Sequence, residues 1–284
     1  MRINTNTSAL SAMENANKNN LNINKSLEKL SSGMRINAAA DDASGLAIAD
    51  KLRTQASGLM KAGENINSAV AFVQIADKAM SEQSNILDSI KAKMIQASTA
   101  TTSSAGREAI RKDVSKLLNQ LDNIAKTTNY NGTQLLQTGT GTDGAALATN
   151  FSFMVGDKAS DVITVGSGTR ANSAGLGLDS LRDLAVDGLD VSTAQTALGT
   201  IDDALTTLNG WRADFGSTQN QLESAGRNVA TQITNIRAAE SVIRDVDYAS
   251  ETANFNKMNI IAQAGSYAMA QATATQQNVL RLLQ

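Results

Sequence analysis

The residues whose types and spacing could do chemistry are a glycine-rich stretch, an adjacent pair of carboxylates and two asparagine sequons. Residues 139–144 read GTGTDG and match G-x-G-x-x-G, the pattern in which backbone N–H groups at a helix N-terminus hold a dinucleotide phosphate. Such a cradle needs a buried strand before it and a helix after it, whereas this one follows LLQT and leads toward FSFMV, so it is read as a loop. Asp41 and Asp42 suggest acid–base work, but adjacent residues on a helix do not face each other. The chain has no His and no Cys to join them, and the pair is read as charge or capping at a helix N-terminus. NGT at 131 and NFS at 150 are sequons on paper, and the first is read as an Asn-Gly turn. Without thiolate or imidazole the usual nucleophile, proton shuttle and metal ligands are missing. No catalytic residue, cofactor or metal is therefore assigned, and the chain is expected not to be an enzyme.

What must position anything in this chain is helix. Hydrophobic residues make up 42% of the 284, yet aromatics only 3% and Pro is absent. A core of Ala, Leu, Ile and Val suits thin seams between uninterrupted helices better than a bulky interior. A net charge of −2 and pI near 5.3 leave no electrostatic footprint for nucleic acid or an anionic membrane. The uncharged stretch between Lys257 and Arg281 carries many Gln, Asn, Ser and Thr residues, which are costly in hydrocarbon. The N-terminus lacks the apolar core of a cleavable signal peptide, so export is expected to use another route.

Two arrays repeat on a seven-residue step. The first runs Leu52, Leu59, Ile66, Val73, Met80, Leu87, Met94, with Gln55, Ala62, Ala69, Ala76, Gln83, Ile90 and Ala97 three residues later. One large and one small side make a seam that permits close helix approach, on a helix from about 45 to 98 roughly 80 Å long. The second runs Ile201, Leu208, Phe215, Leu222, Val229, Ile236, Ile243. A shorter helix carrying Ile110, Val114, Leu117, Leu121 and Ile124 lies between them. The fold class follows: mainly α, a long antiparallel coiled-coil or helix bundle built from N- and C-terminal segments, with a small β-hairpin region in the middle. In that middle, NYNGT at 129 to 133 ends the helical pattern, FSFMV and DVITV suit hairpin strands, and Ser192 with Gln195 reads as the capping box that restarts helix.

The outermost segments carry sparser stripes, Leu10, Met13, Ile23, Leu27, Leu30 and Met34 at the start, and Ile261, Ala264, Ala268, Ala272, Val279, Leu282 and Leu283 at the end. Neither stripe can bury itself alone, so the stripes either pair with each other or pack on other subunits.

LEKLSSGMRINAAADDASGLAIADKL at 27 to 52, MRINTN at the start and NFNKMNIIAQAGSYAMAQATATQQNVLRLLQ at 254 to 284 resemble the two conserved ends of the bacterial flagellins, of the compact type with little or no outer domain. The resemblance implies a structural, non-enzymatic subunit that self-assembles into the helical tube of the flagellar filament for motility. A hook-filament junction protein of the same export pathway is the alternative. It also implies an inner terminal coiled-coil domain (1–43 and 254–284), a helical spoke (44–137 and 190–253) built on the two seams, and a small variable hairpin or loop region (138–189) at the spoke tip. Implied partners are further flagellin copies, an export chaperone and type III export apparatus, and filament cap and hook-associated proteins; the implied location is the extracellular flagellum. One departure is Gln276, where related flagellins often carry Pro. Another lies in LDSIKAKMIQ at 87 to 96, a stretch resembling the one an innate immune receptor reads in many flagellins. Ser89 stands where the family's Arg is expected, Lys93 where its Leu is expected, and Asp113 replaces a Glu on the next helix, which implies weak or no receptor activation.

Overall fold

The computed structural model describes residues 6–137, 151–165, 169–182 and 189–282, with the side chains of 276 and 278–282 left aside. Its elements are α1 (Thr7–Ser32), α2 (Ala43–Ala97), α3 (Ser104–Thr127), β1 (Asn129–Tyr130), β2 (Thr133–Gln134), β3 (Phe151–Met154), β4 (Val162–Val165), α4 (Val191–Arg244) and α5 (Tyr248–Leu282). The chain divides into two compact units, Met1–Ala56 with Thr234–Gln284, and Ser57–Ile233. The GTGTDG stretch lies outside the described residues.

In the second unit the seven-residue step does what the pattern requires. Leu59, Ile66, Val73, Met80, Leu87 and Met94 of α2 are buried, as are Ile201, Leu208, Phe215, Leu222 and Val229 of α4. The two helices run antiparallel: Asp77 pairs with Arg212 at 3.0 Å and Lys91 with Asp202, while a Cβ on Gly226 would lie 3.4 Å from Ile66. The small companions Ala62, Ala69, Ala76 and Ala97 are buried between the large rungs, so the backbones approach closely. Helix α3 lies antiparallel to α2, tied by Lys93 to Asp113 at 2.9 Å and by the Gln83 amide donating to the Leu121 carbonyl at 3.2 Å. Its buried face is Ile110, Val114, Leu118, Leu121 and Ala125; the expected Leu117 and Ile124 sit at its half-buried flank.

Turn chemistry closes the elements. Ser103 caps α3 by accepting from the Gly106 N–H at 3.1 Å. Asn131 and Gly132 both have positive φ, 51 and 80°, the primed turn that joins two-residue hairpins, and β1 pairs with β2 across it. Strands β3 and β4 pair antiparallel with Phe151 opposite Val165. Phe72 meets Tyr130, Phe151 and Phe153 edge-to-face at centroid distances of 5.9, 4.6 and 5.2 Å, so both hairpins dock on one ring of α2.

Two expectations need correction. Helix α4 starts one residue before Ser192: Asp190 is the cap, its N–H donating to the Thr193 hydroxyl at 2.8 Å, while Gln195 is exposed. The described hairpin of the middle lies along α2 between Gly58 and Phe72, not at a tip: Phe151 and Phe153 pack on Phe72, and a Cβ on Gly58 would lie 3.5 Å from Asp157. Farther on, Thr169, Ala171, Asn172, Ser173, Leu176, Leu178 and Leu181 are buried, making a strap over the bundle that turns helical at 179–182.

Phe215 is 1% exposed, so Phe215→Ala removes a full seam rung and should cost about 3 to 5 kcal/mol, read as a lower urea midpoint. A midpoint unchanged within error would show that the ring does not fill the seam.

Candidate assembly surfaces

The signature stretch 27 to 52 builds the end of the first unit. Helix α1 stops at Gly33, whose φ of 72° is left-handed and whose N–H returns to the Lys29 carbonyl; an added Cβ would come 2.9 Å from the Tyr248 hydroxyl. The chain then bridges Met34 to Asp245, and the Arg35 guanidinium donates to the Ile243 carbonyl at 2.7 Å. Ile36 is buried at 2% exposure. The two carboxylates that follow differ: Asp42 caps α2, accepting from the Gly45 N–H at 2.9 Å, whereas Asp41 closes the turn before it, accepting from the N–H groups of Asn37 and Ala38. Those backbone bonds, the one from Ala38 first, hold the Asp41 carboxyl below its ordinary pKa. Gly45 has no room for a Cβ, which would lie 2.5 Å from the Asp42 carboxylate and 2.7 Å from Ile36.

From that end α1 and α5 run antiparallel. Ser26 donates to Glu251, the Asn19 amide to the Met258 carbonyl at 2.8 Å, and the Asn6 amide to the Ala272 carbonyl at 3.2 Å. The inward face of α1 is Ala9, Ala12, Ala16, Asn19, Ile23, Ser26 and Leu30, and that of α5 is Glu251, Phe255, Met258, Ala262, Gly265, Met269 and Ala272. Both keep the alternating three- and four-residue spacing of a seam, filled mostly by small or polar side chains.

The sequence stripes therefore fall on two faces. Ile23, Leu30, Met34 and Ala272 are half-buried, whereas Ala264 and Ala268 face outward. So do the large residues: Leu10 is 59% exposed, Met13 54%, Leu27 46% and Ile261 47%. Val279 and Leu282 lie on α5 with side chains that are not described, and Leu283 lies outside the described residues. Leu21 at 62%, Ile260 at 67% and Tyr267 at 83% join the outward apolar set; stripe counting passed over them because Asn-rich neighbours break the row. In this unit Leu52, Ile236 and Ile243 are only half-buried, as is the companion Gln55.

The second unit holds a buried polar clasp that periodicity could not reveal. Asp122 is 5% exposed; its carboxylate accepts from the Ser173 N–H at 2.7 Å and hydroxyl at 3.0 Å, with Arg182 at 3.5 Å. Gln83, fully buried, donates to the Ala171 carbonyl at 2.6 Å. On the outer side of the bundle Ser89 is exposed and donates to the Asn85 carbonyl at 2.9 Å. The Lys93 ammonium hydrogen bond lowers the pKa of Asp113, so two of the altered positions are paired with each other. Nearby, Arg111 grips Glu108 through two hydrogen bonds of 2.6 Å and brings its pKa down to about 2. Among the described residues no cluster of carboxylates could hold a metal ion, and no helix is long and apolar enough to cross a membrane.

Residues 3–140 match the family model for the bacterial flagellin N-terminal helical region, and residues 198–283 that for the bacterial flagellin C-terminal helical region. The chain is 37% identical over 292 residues to the flagellar filament 33 kDa core protein of Treponema phagedenis. It is 36% identical over 303 residues to a flagellin of Bacillus subtilis strain 168. Both alignments cover 100% of each chain. Among solved structures, a putative flagellar hook-associated protein from Vibrio parahaemolyticus shares the fold at a TM-score of 0.59 and 12% identity, over 72% of this chain and 99% of that one.

The α1–α5 seam is filled mostly by small or polar, half-buried side chains, whereas the α2–α4 seam buries large apolar rungs, and local stability follows buried apolar contact. Hydrogen exchange of the isolated chain should be faster at the amides of 7–32 and 248–275 than at those of 59–94, and equal protection would refute the contrast. For Asp41, whose folded pKa is depressed, the stabilising bonds are present above the unfolded pKa of about 3.9 and lost as pH falls through the lower folded value. An NMR titration should place its midpoint below that of an unstructured Asp; a midpoint at or above it would sink the assignment of these turn hydrogen bonds.

Proposed function

The chain belongs to the bacterial flagellin family and is a structural subunit of the flagellar filament, part of the extracellular flagellum, and we propose that its exposed terminal helix faces are what the polymer buries. The observation that supports this reading is the inversion in the first unit, where Leu10, Met13, Leu21 and Leu27 face outward while Ala9, Ala12 and Ala16 face the partner helix. Apolar surface left exposed on one face, on helices too thinly paired to be stable alone, is gained back when a second copy covers it. Copies related by a rotation that does not close a ring then continue as a helical tube.

On this reading the inner domain is 1–43 with 254–284, and the spoke is 44–137 with 190–253. The variable region is 138–189; its described hairpin at 151–165 packs beside Gly58 and Phe72 of α2, and its 169–182 part serves the spoke's own core. The chain acts by packing and has no catalytic role. An export chaperone covers the C-terminal stripe before passage through the flagellar export apparatus, and filament cap and hook-associated proteins meet the same terminal helices.

The innate immune receptor is engaged weakly or not at all. Ser89 supplies no guanidinium, and Lys93 puts a hydrated ammonium, tied to Asp113, where an apolar contact would have to be desolvated. A filament-forming subunit dominates the protein sheared from cells, whereas a junction protein is a minor band there.

Two measurements test the assignment. A fragment lacking 1–40 and 254–284 should remain a soluble helical monomer that forms no filaments; filaments from that fragment would overturn the division of roles. In a receptor reporter assay, Ser89→Arg with Lys93→Leu should activate at least roughly tenfold more strongly than the unchanged chain, as one or two restored contacts predict. Strong activation by the unchanged chain would refute the receptor reading.

A further inference from the structure

The outward row of α1 contains a thioether. The chain has no Cys, so its methionines are its only oxidisable sulfur. Met80 and Met94 lie in the α2 seam at 0% and 2% exposure, whereas Met13 is 54% exposed beside Leu10 at 59%. Met34, Met258 and Met269 are half-buried in the first unit; Met60 and Met154, at 38% and 41%, belong to the second.

We propose that Met13 is an oxidation-sensitive gate on polymerisation: peroxide converts its thioether to the sulfoxide in the unassembled subunit, and the sulfoxide keeps α1 from packing on a neighbouring copy. The inference rests on the reading that the outward face of α1 is an assembly contact. In the reaction a sulfur lone pair takes one oxygen atom from the peroxide; an S–O bond forms, the peroxide O–O bond breaks, sulfur is oxidised by two electrons, and the peroxide leaves as water. No bond of the chain is cleaved, and thiol-dependent sulfoxide reductases, one for each of the two sulfoxide epimers, together reverse the change.

The position makes the change matter. A helical side chain covers the turn N-terminal to its own Cα, which for Met13 carries Ala9 and Leu10. A sulfoxide oxygen placed over that apolar turn meets no donor on its own helix there, and a dry contact with a second copy would strip its water without replacing it. Once the contact has formed, the sulfur is covered, so oxidation acts before assembly and is slowed after it.

The test oxidises the full-length chain with dilute hydrogen peroxide, quenches with catalase, maps each methionine by mass spectrometry, and follows elongation from sonicated filament fragments by sedimentation. Met13 should oxidise ahead of Met34, Met258, Met80 and Met94, and more slowly in filaments than in monomer. The critical concentration for elongation should rise roughly tenfold or more, the penalty of one unmatched polar group in a dry contact. Met13→Leu, oxidised equally at Met60 and Met154, should elongate like the untreated chain, and reductase treatment should restore the wild type. Normal elongation by chain fully oxidised at Met13, or equal loss in oxidised Met13→Leu, would overturn the proposal. Unoxidised Met13→Gln separates the two layers and should elongate poorly. If it does and oxidised wild type nevertheless elongates normally, the redox step alone is wrong. If Met13→Gln elongates normally, the assembly reading of this residue is wrong.

Discussion

Everything else in the molecule depends on a large rung facing a small one every seven residues. In the second unit Leu59, Ile66, Val73 and Met80 alternate with Ala62, Ala69 and Ala76, all buried. The alanines let helix backbones come close, and the branched or long side chains then fill the narrow space between them. A seam of this kind needs few rings, which is why aromatics are 3% of the chain. Phe215 plugs the α4 side, and Phe72 serves as the platform for both hairpins. The same narrowness makes volume changes costly, because a cavity left in the seam is only partly closed by relaxation of its neighbours.

Apolar rungs decide that helices pair, but a seven-residue repeat is compatible with several registers. The buried polar groups remove that freedom. If α3 slipped by one turn against α2, Gln83 would lose the Leu121 carbonyl. A strap moved off Asp122 would leave its carboxylate without the Ser173 donors. Removing one partner from a buried charge costs more than the pair contributes when intact. These contacts therefore act chiefly by penalising wrong alignments. Capping bonds do comparable local work at the helix ends, where the Asp42 carboxylate accepts from Gly45 at the start of α2 and the Thr193 hydroxyl accepts from the Asp190 N–H at the start of α4.

The seven-residue period, the Asn-Gly turn at 131, the strands at 151–154 and 162–165 and the capping carboxylate of Asp42 were legible in the sequence, because each has a local signature: a period, a dipeptide or a spacing. The inward faces of α1 and α5 were not. Stripe reading follows the largest apolar residues; in α1 it caught Ile23 and Leu30 of the packing face but mixed them with the outward Leu10, Met13 and Leu27, and passed over Ala9, Ala12, Ala16 and Asn19, on which the rest of that face is built. A search for small residues at alternating three- and four-residue spacing would have found it. The Asp122 clasp and the strap at 169–182 left no local trace, since a carboxylate in an amphipathic helix reads as exposed until a segment some 50 residues away supplies its donors. The Ser192 box failed for a smaller reason: Asp190 offers an equally good cap earlier, and Thr193 completes it.

If the outward rows of the first unit are the assembly contacts proposed above, their composition matters for selectivity. A continuous apolar face on a helix would drive unordered association. In α1 that face is interrupted: Asn17, Asn20 and Asn24 stand exposed between Met13 and Leu27, and Lys18 pairs with Glu14 beside them at 2.7 Å. Each apolar patch is then too small to hold an arbitrary partner. On that reading, a copy arriving in register covers all of them at once while leaving the asparagine amides hydrogen-bonded. On the assembly reading, the Asn-rich composition that hides the stripe from a simple periodicity count is also what makes its pairing selective.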